Sequence, residues 1–384
     1  MDKIFNLIDK EERRQFTGIQ LIPSENIVSG AVLEAVGSCL TNKYAEGYVG
    51  KRYYQGNRFV DEIEQLAIDR AKELFGFEAV NVQAYSGSPA NSAILFALLE
   101  KGDKICGLRL SAGGHLTHGH PRITFSGKYF DSVQYDVEKD GRIDYKKLAK
   151  LVKAEKPKLI FAGTTAYPFE LDFKKFGEIA DSVGAWLVAD ISHIAGLVAT
   201  GEHMSPVDYV DVVMTTTHKT LRGPRGAIIG ITKKGLKRDV DLAKKIDKAV
   251  FPGLQGGPHV NNIAGIAVAL SEAMTMDYIK YANQVKLNAK VLAETLKNKG
   301  YRVFGTENHL MVVDVGKEKG KQAAVALEEE GIYCNANTIP HDEGSPLKPS
   351  GIRLGSPCET TKGKKEEEFI WIAEKIDKVL RGLK

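Results

Sequence analysis

The chain has 384 residues, 43% of them hydrophobic and 27% charged, enough for one large domain and a smaller one with a core in each. The formal net charge is only +4, with lysines interleaved among glutamates, so composition argues against a nucleic-acid partner, and no apolar run reaches membrane-spanning length. Cys39, Cys106, Cys334 and Cys358 show no C-x-x-C spacing, which suggests neither a disulfide framework nor a thiolate metal site and points to a reducing, cytoplasmic location.

The opening stretch MDKIFNLIDKEERRQF alternates charges through a helical pattern. The first fifty or so residues, with Pro and Gly punctuation and exposed-looking aromatics, read as an arm laid across something else. NRFVDEIEQLAIDRAKELFG reads as a helix capped by Asn57 and closed by Gly76. From about Ala79 the runs AVNVQ, KICGLRL, KLIFAG, AWLVAD, DVVMTTT and AIIGIT alternate with amphipathic helical stretches. That alternation is the signature of βαβ units and a mostly parallel sheet, an α/β fold. The long helical stretch MDYIKYANQVKLNAKVLAETLKNKG then ends the alternation. Beyond it YRVFG, HLMVVDV, a helix through AAVALEEEG, IYCN, GIRLG and a final helix make a small α+β domain.

Ligands of open parallel sheets bind at the carboxyl ends of the strands, and four marked features fall there. SGSPAN follows the first strand and opens a helix. Small hydroxyl and glycine residues at a helix N-terminus suit a phosphate, although Ser88 as N-cap with Pro89 at the first helical position explains the same residues. Asp190 ends the apolar run WLVAD, where a carboxylate needs a partner. A pyridinium nitrogen would be one, a helix cap or a buried ion pair another. Lys219 in TTTHKT follows Asp190 by 29 residues (219 − 190), a gap that fits one crossover and brings both to one sheet edge. It reads either as an edge lysine snorkelling to water or as an amine held dry to form a Schiff base. The cluster GGHLTHGH offers His115, His118 and His120 as metal ligands, yet its glycines argue for a loop and no carboxylate completes a set, so one flat imidazole stacked on a flat ring is preferred and no metal is expected. Phosphate cradle, ring-nitrogen carboxylate, imine lysine and stacking histidine together are the parts of a pyridoxal-phosphate site.

The sequence resembles serine hydroxymethyltransferase over essentially its whole length, through LIPSEN, TNKYAEGYVGKRYYQG, SGSPAN, GGHLTHG, ADISHIAGL, TTTHKTLRGPRG, FPGLQGGP and SGIRLGSP. The resemblance implies a fold-type-I pyridoxal-phosphate enzyme, with an N-terminal arm (1–50), a large α/β domain on a mostly parallel sheet of the seven-stranded type (51–275) and a small α+β domain (276–384). By the same resemblance Lys219 would bind pyridoxal 5′-phosphate covalently, Asp190 would face the ring nitrogen and His115 would stack on the ring. His193 and Thr165 would lie at the ring hydroxyl, and Ser86, Gly87 and Ser88 would bind phosphate, joined by Tyr44 and Gly257 of a neighbouring subunit in a homodimer with shared sites. Arg353 and Ser24 would take the carboxylate of serine or glycine. Glu46 and Tyr54 would enter from the partner for proton transfer at the hydroxymethyl group. Leu110, Gly114, Leu116 and Asn337 would meet the pterin of the carrier, and His218 and Arg225 would play supporting roles. The carrier implied is tetrahydrofolate or a methanopterin-type relative. Against the family pattern, Pro89 stands for a usual glutamine, Val49 for a proline, Gln55 for a glycine, and Ser111 and Ala112 for Ala-His. The rival enzyme reading is a carrier-independent aldolase of 3-hydroxy amino acids, which needs the same lysine, aspartate and arginine.

Overall fold

The computed structural model describes residues 2–383. The chain opens with α1 (Lys3–Thr17), whose N-terminus is capped by the Asp2 carboxylate accepting from the Ile4 amide. No residue of this helix is buried, and Phe16 is 78% exposed, so its apolar stripe has no partner among the described residues. The next stretch is not all arm. Ile19 and Gln20 pair in parallel with Ile332 and Tyr333, and Ile19 and Leu21 join the same core as the C-terminal helices. After α2 (Gly30–Val36) a short hairpin pairs Gly47–Tyr48 with Lys51–Arg52. The buried Arg52 side chain fixes that hairpin to α3 (Arg58–Phe75) through ion pairs to Asp61 at 2.8 Å and Glu64 at 2.6 Å.

Two local readings need correction. Asn57 occupies the position before α3 but makes no cap bond, its amide donating instead to the Tyr54 carbonyl. Gly76 does close the helix in the left-handed region. Ser88 is not a cap: α4 (Gly87–Leu98) begins two residues earlier than that reading, with Ser86 at the N-cap position and Pro89 inside the first turn, where its missing N–H costs nothing.

The core is a seven-stranded sheet of β1 (Ala79–Asn81), β2 (Lys104–Leu108), β3 (Asp131–Tyr135), β4 (Leu159–Gly163), β5 (Trp186–Asp190), β6 (Val212–Thr216) and β7 (Ala227–Ile231), in the order β1-β7-β6-β5-β4-β2-β3. The strands β6, β5, β4, β2 and β3 run parallel, whereas β7 is antiparallel to both its neighbours. Every residue of β4, β6 and β7 is buried, as expected of strands covered on both faces. The edge strand β3, DSVQY, alternates polar with apolar residues and lacks the apolar run that marks the central strands. The sheet separates two apolar layers, one holding α3 and the buried face of α5 (Val260–Ala273), the other holding α4.

The helix α6 (Met276–Asn298), capped by Thr275, leads into the C-terminal unit. There β8 (Val303–Phe304), β9 (Leu310–Asp314), β10 (Asn335–Asn337) and β11 (Gly351–Gly355) form an antiparallel sheet in the order β8-β9-β11-β10. This sheet packs on α6, α7 (Gly320–Glu329) and α8 (Glu366–Arg381) around Leu292, Met311, Leu354 and Phe369. Just before β9, Asn308 is buried with its amide donating to the Tyr167 carbonyl, and the Glu307 amide donates to Pro168, so the two sheets are held together at that seam. Among the described residues no helix is long and apolar enough to cross a membrane.

Candidate active site

Parallel register fixes the site. Gly163 and Asp190 lie side by side at the carboxyl ends of β4 and β5, beside Met214 in β6, which runs two residues further, so whatever follows each strand converges on one edge. A cavity of about 210 Å³ opens there, lined by Ser24, Ser86, Gly87, Ser88, His115, Thr165, Asp190, His193, His218, Lys219 and Arg225. A larger space of about 430 Å³ adjoins it and shares Ser24, His218 and Arg225, but its other walls are largely apolar and lack the lysine and aspartate.

Asp190 is 6% exposed. Burial alone would push its carboxyl up, yet hydrogen bonds from His118 and Ser192 outweigh that and hold it well below the usual carboxylate range. His118 Nε2 donates to Oδ2 at 2.9 Å, Asn91 Nδ2 donates to the same oxygen at 3.0 Å, and the Ser192 hydroxyl donates to Oδ1 at 2.6 Å. His118 is itself fully buried, stacked on Phe161 with ring centroids 4.7 Å apart. Two glycines make room for it. A Cβ on Gly107 of β2 would fall 2.2 Å from the His118 carbonyl oxygen, and one on Gly163 of β4 would fall 2.6 Å from the Asp190 Cβ and 3.0 Å from His118 Cε1.

Lys219 lies past the end of β6 with Nζ 3.3 Å from Thr216 Oγ1. Burial lowers its pKa from the ordinary 10.5 to about 8, Asp190 opposing the fall and Arg353 and Arg225 adding to it. A fraction of the amine is therefore free base near neutrality, the condition for a nucleophilic lysine. His115 accepts at Nδ1 from the Thr117 amide, its ring lowered to about 4 chiefly by burial. Asn91 also donates to Thr117 Oγ1, so one amide ties the His115 loop to Asp190. His218 is pushed down to about 3 by burial, with Lys219 adding to the effect. At the start of α4, Ser86, Gly87 and Ser88 put free backbone amides on the cavity wall. Gly87 admits no side chain, since a Cβ there would stand 2.7 Å from Thr216 Cγ2.

Arg353 comes from β11 of the other sheet. Its Nη1 donates to the Thr165 carbonyl and its Nε to Asn335 Oδ1 at 3.0 Å, and burial lowers the guanidinium to about 10. It makes no ion pair among the described residues, so a largely buried cation stands ready for a carboxylate from outside. The Thr165 hydroxyl donates to the Gly114 carbonyl at 2.8 Å.

The other predicted residues form separate groups. Tyr44, Glu46, Tyr54 and Gly257 are gathered on the outer surface, not on the wall of the chain's own cavity: the Tyr44 hydroxyl donates to Glu46 Oε1 at 3.1 Å, the Tyr44 and Tyr54 rings meet edge-on at 5.2 Å, and Gly257 abuts the Tyr44 ring. Leu110, Gly114 and Leu116 lie on the loop after β2, and Asn337 lies at the end of β10, where the neighbouring Thr338 hydroxyl donates to Ser111 and spans the cleft. Sequence reasoning did not assign Asn91, His118 or Ser192 to Asp190. His118 and Asn91 did stand in the quoted motifs, but their pairing across 72 and 99 residues left no local trace.

A profile of the family described as serine hydroxymethyltransferase matches residues 1–376. Proteins named serine hydroxymethyltransferase from Desulfotalea psychrophila, Campylobacter hominis and Nitratiruptor sp. are 53%, 52% and 54% identical to this chain, each alignment covering 99% of it and 88%, 91% and 91% of the relative.

Proposed function

The chain belongs to the serine hydroxymethyltransferase family, and we propose that its residues divide that family's reaction among the three groups just described. It interconverts serine and glycine, exchanging the hydroxymethyl carbon with tetrahydrofolate, and uses pyridoxal 5′-phosphate. The residues suit that cofactor: a desolvated lysine amine, an ionised buried carboxylate and the free amides of a helix N-terminus line one cavity, and the Gly87 position leaves the cradle open. When bound, the cofactor supplies an electron sink for the carbanion left at the substrate α-carbon.

In this reading Lys219 is the covalent anchor. Asp190, kept anionic by His118, Asn91 and Ser192, holds a proton on the ring nitrogen. His115 covers a ring face, His193 and Thr165 stand at the ring hydroxyl, and Ser86, Gly87 and Ser88 take the phosphate. Arg353, with Ser24, grips the substrate carboxylate and so orients the bond to be broken. His218 and Arg225 add positive or polar wall beside the lysine. Glu46 and Tyr54 move the proton at the substrate hydroxyl, and they do so in a neighbouring copy of the chain, where Tyr44 and Gly257 also reach the phosphate. Their separation from the chain's own cavity, together with the unpartnered apolar stripe of α1, supports a homodimer with shared sites. Leu110, Gly114, Leu116 and Asn337 form the carrier's berth. The four unpaired cysteines suit a reducing compartment, and the cytoplasm is the location proposed. The chain divides into an arm (1–50), a large domain (51–275) and a small domain (276–384), with the Ile19–Leu21 stretch of the arm docked into the core of the small domain.

One observation carries this assignment: Lys219, lowered to about 8, shares a 210 Å³ cavity with the ionised Asp190. The test is serine cleavage by the loaded protein with and without tetrahydrofolate. Glycine formation that depends on the added carrier supports the transferase; equal glycine release without it would overturn the reading in favour of the aldolase.

A further inference from the structure

The seam between the two sheets holds a pair of imidazoles of which only one has been given work. His193 follows β5 and lines the cavity, and its Nδ1 lies 3.3 Å from Nε2 of His309, the residue just before β9. The ring planes lie within 26° of each other with centroids 5.5 Å apart, so the two rings meet edge to edge through these nitrogens, and both side chains are buried. His309 is held by its neighbours: Asn308 grips the Tyr167 carbonyl, and the Ser356 amide donates to the His309 carbonyl at 3.1 Å. The small sheet therefore presents one ring nitrogen, at a fixed place, to a residue of the large sheet.

Both rings are neutral. Burial, reinforced by the nearby Lys219 and Arg353, takes His309 down to about 3 and His193 well below the ordinary imidazole value. A neutral pair sharing one hydrogen bond has two arrangements. If His193 donated from Nδ1, His309 would carry its proton on Nδ1, which no group of the described residues reaches, and a buried N–H would be orphaned. If His309 donates from Nε2, the unpaired atom is a ring lone pair instead, the same arrangement His118 adopts when its Nε2 serves Asp190 and its Nδ1 has no partner. The second arrangement leaves His193 with its proton on Nε2, the nitrogen that faces the cavity.

We propose that His309 is a positioning residue: by donating from Nε2 to His193 Nδ1 it fixes His193 as the Nε2–H tautomer, a donor aimed into the cavity. The use of that donor, at the cofactor ring hydroxyl, rests on the reading given above. Because His309 leads directly into β9 and Arg353 lies on the adjoining β11, the sheet that grips the substrate carboxylate also sets the donor.

The test is a long-range proton–nitrogen correlation spectrum of the full-length protein labelled with nitrogen-15 in its histidine rings, recorded cofactor-free and loaded, with the His193 signals assigned by His193→Asn. The wild type should show His193 protonated at Nε2 alone in both states. In His309→Leu the single tautomer should give way to a mixture and kcat/KM for serine should fall about tenfold, whereas His309→Gln, whose amide keeps a donor near the same position, should restore both. A wild-type His193 protonated at Nδ1, or a His309→Leu spectrum unchanged at His193, would overturn the proposal. The wild-type spectrum decides even if His309→Leu does not fold. Failure to take up cofactor would count against the cofactor reading and leave the tautomer measurement, made on the cofactor-free chain, standing.

Discussion

Replacing Lys219 by methionine should stabilise the cofactor-free protein. The side chain lies against the cavity wall, where desolvation brings its pKa from 10.5 to about 8. Each unit of such displacement is worth about 1.4 kcal/mol, so holding the ammonium in the folded state below pH 8 costs about 3 kcal/mol relative to the unfolded chain. The sign follows from linkage. The folded pKa is the lower one, so the unfolded chain binds the proton more tightly; the penalty is complete below about pH 8, shrinks as pH rises between the two values and vanishes above 10.5. Methionine has similar length and no charge to desolvate. Urea unfolding of cofactor-free wild type and Lys219→Met, at one protein concentration, should show the variant more stable by about 3 kcal/mol at pH 7 and by only about 1 kcal/mol at pH 10. A variant less stable than wild type at pH 7, or a difference that does not change with pH, would refute the claim that this lysine is held desolvated for reaction at the expense of the fold.

Three further outcomes are expected. His118→Leu removes a charge-assisted hydrogen bond to Asp190 worth about 2 kcal/mol, so kcat should fall by about one to two orders of magnitude with serine binding little changed; steady-state kinetics showing normal kcat would contradict the role given to His118. Gly163→Ala brings a methyl to 2.6 Å from the Asp190 Cβ and should lower stability by about 1–3 kcal/mol while weakening cofactor retention, and retention equal to wild type on gel filtration would argue against a tight slot. Mixing inactive Glu46→Gln and Lys219→Ala chains, unfolding and refolding them together, should recover about a quarter of wild-type activity if each site draws on two chains of a symmetric dimer; no recovery would sink the shared site.

Much of the site was readable because its chemistry stands at strand ends. Asp190 and Lys219 are polar residues terminating apolar runs, and the βα alternation alone brings such residues to one edge. The partners that tune them were not readable, since His118 reaches Asp190 across 72 residues and Arg353 arrives from a different sheet. Within the fold, the strand β7 shows why order is harder than existence. The run AIIGI was evident, but the segment between Thr216 and Ala227 is shorter than the dozen or so residues a parallel crossover requires, and it turns the strand antiparallel. The edge strand β3 escaped because DSVQY lacks the apolar run of a central strand and shows only the alternation of Val133 and Tyr135 with Ser132 and Gln134 that marks a half-buried edge. At the N-terminus, Ile19 and Leu21 look like any apolar residues of an arm, and only their burial with Leu292 and Phe369 reveals that this stretch belongs to the C-terminal core.

The slot that Gly107 and Gly163 leave for His118 bears on how this scaffold tolerates redesign. The group that steadies Asp190 is buried in the sheet itself, walled by backbone on two adjacent strands where not even a methyl fits. Libraries aimed at new hydroxyamino acids should therefore leave the middle of β2 and the end of β4 untouched, although neither strand lines the substrate's path. Diversity belongs at the half-buried Ser111 and Ala112, ahead of Gly113 and Gly114, where an added side chain would meet backbone, and of His115.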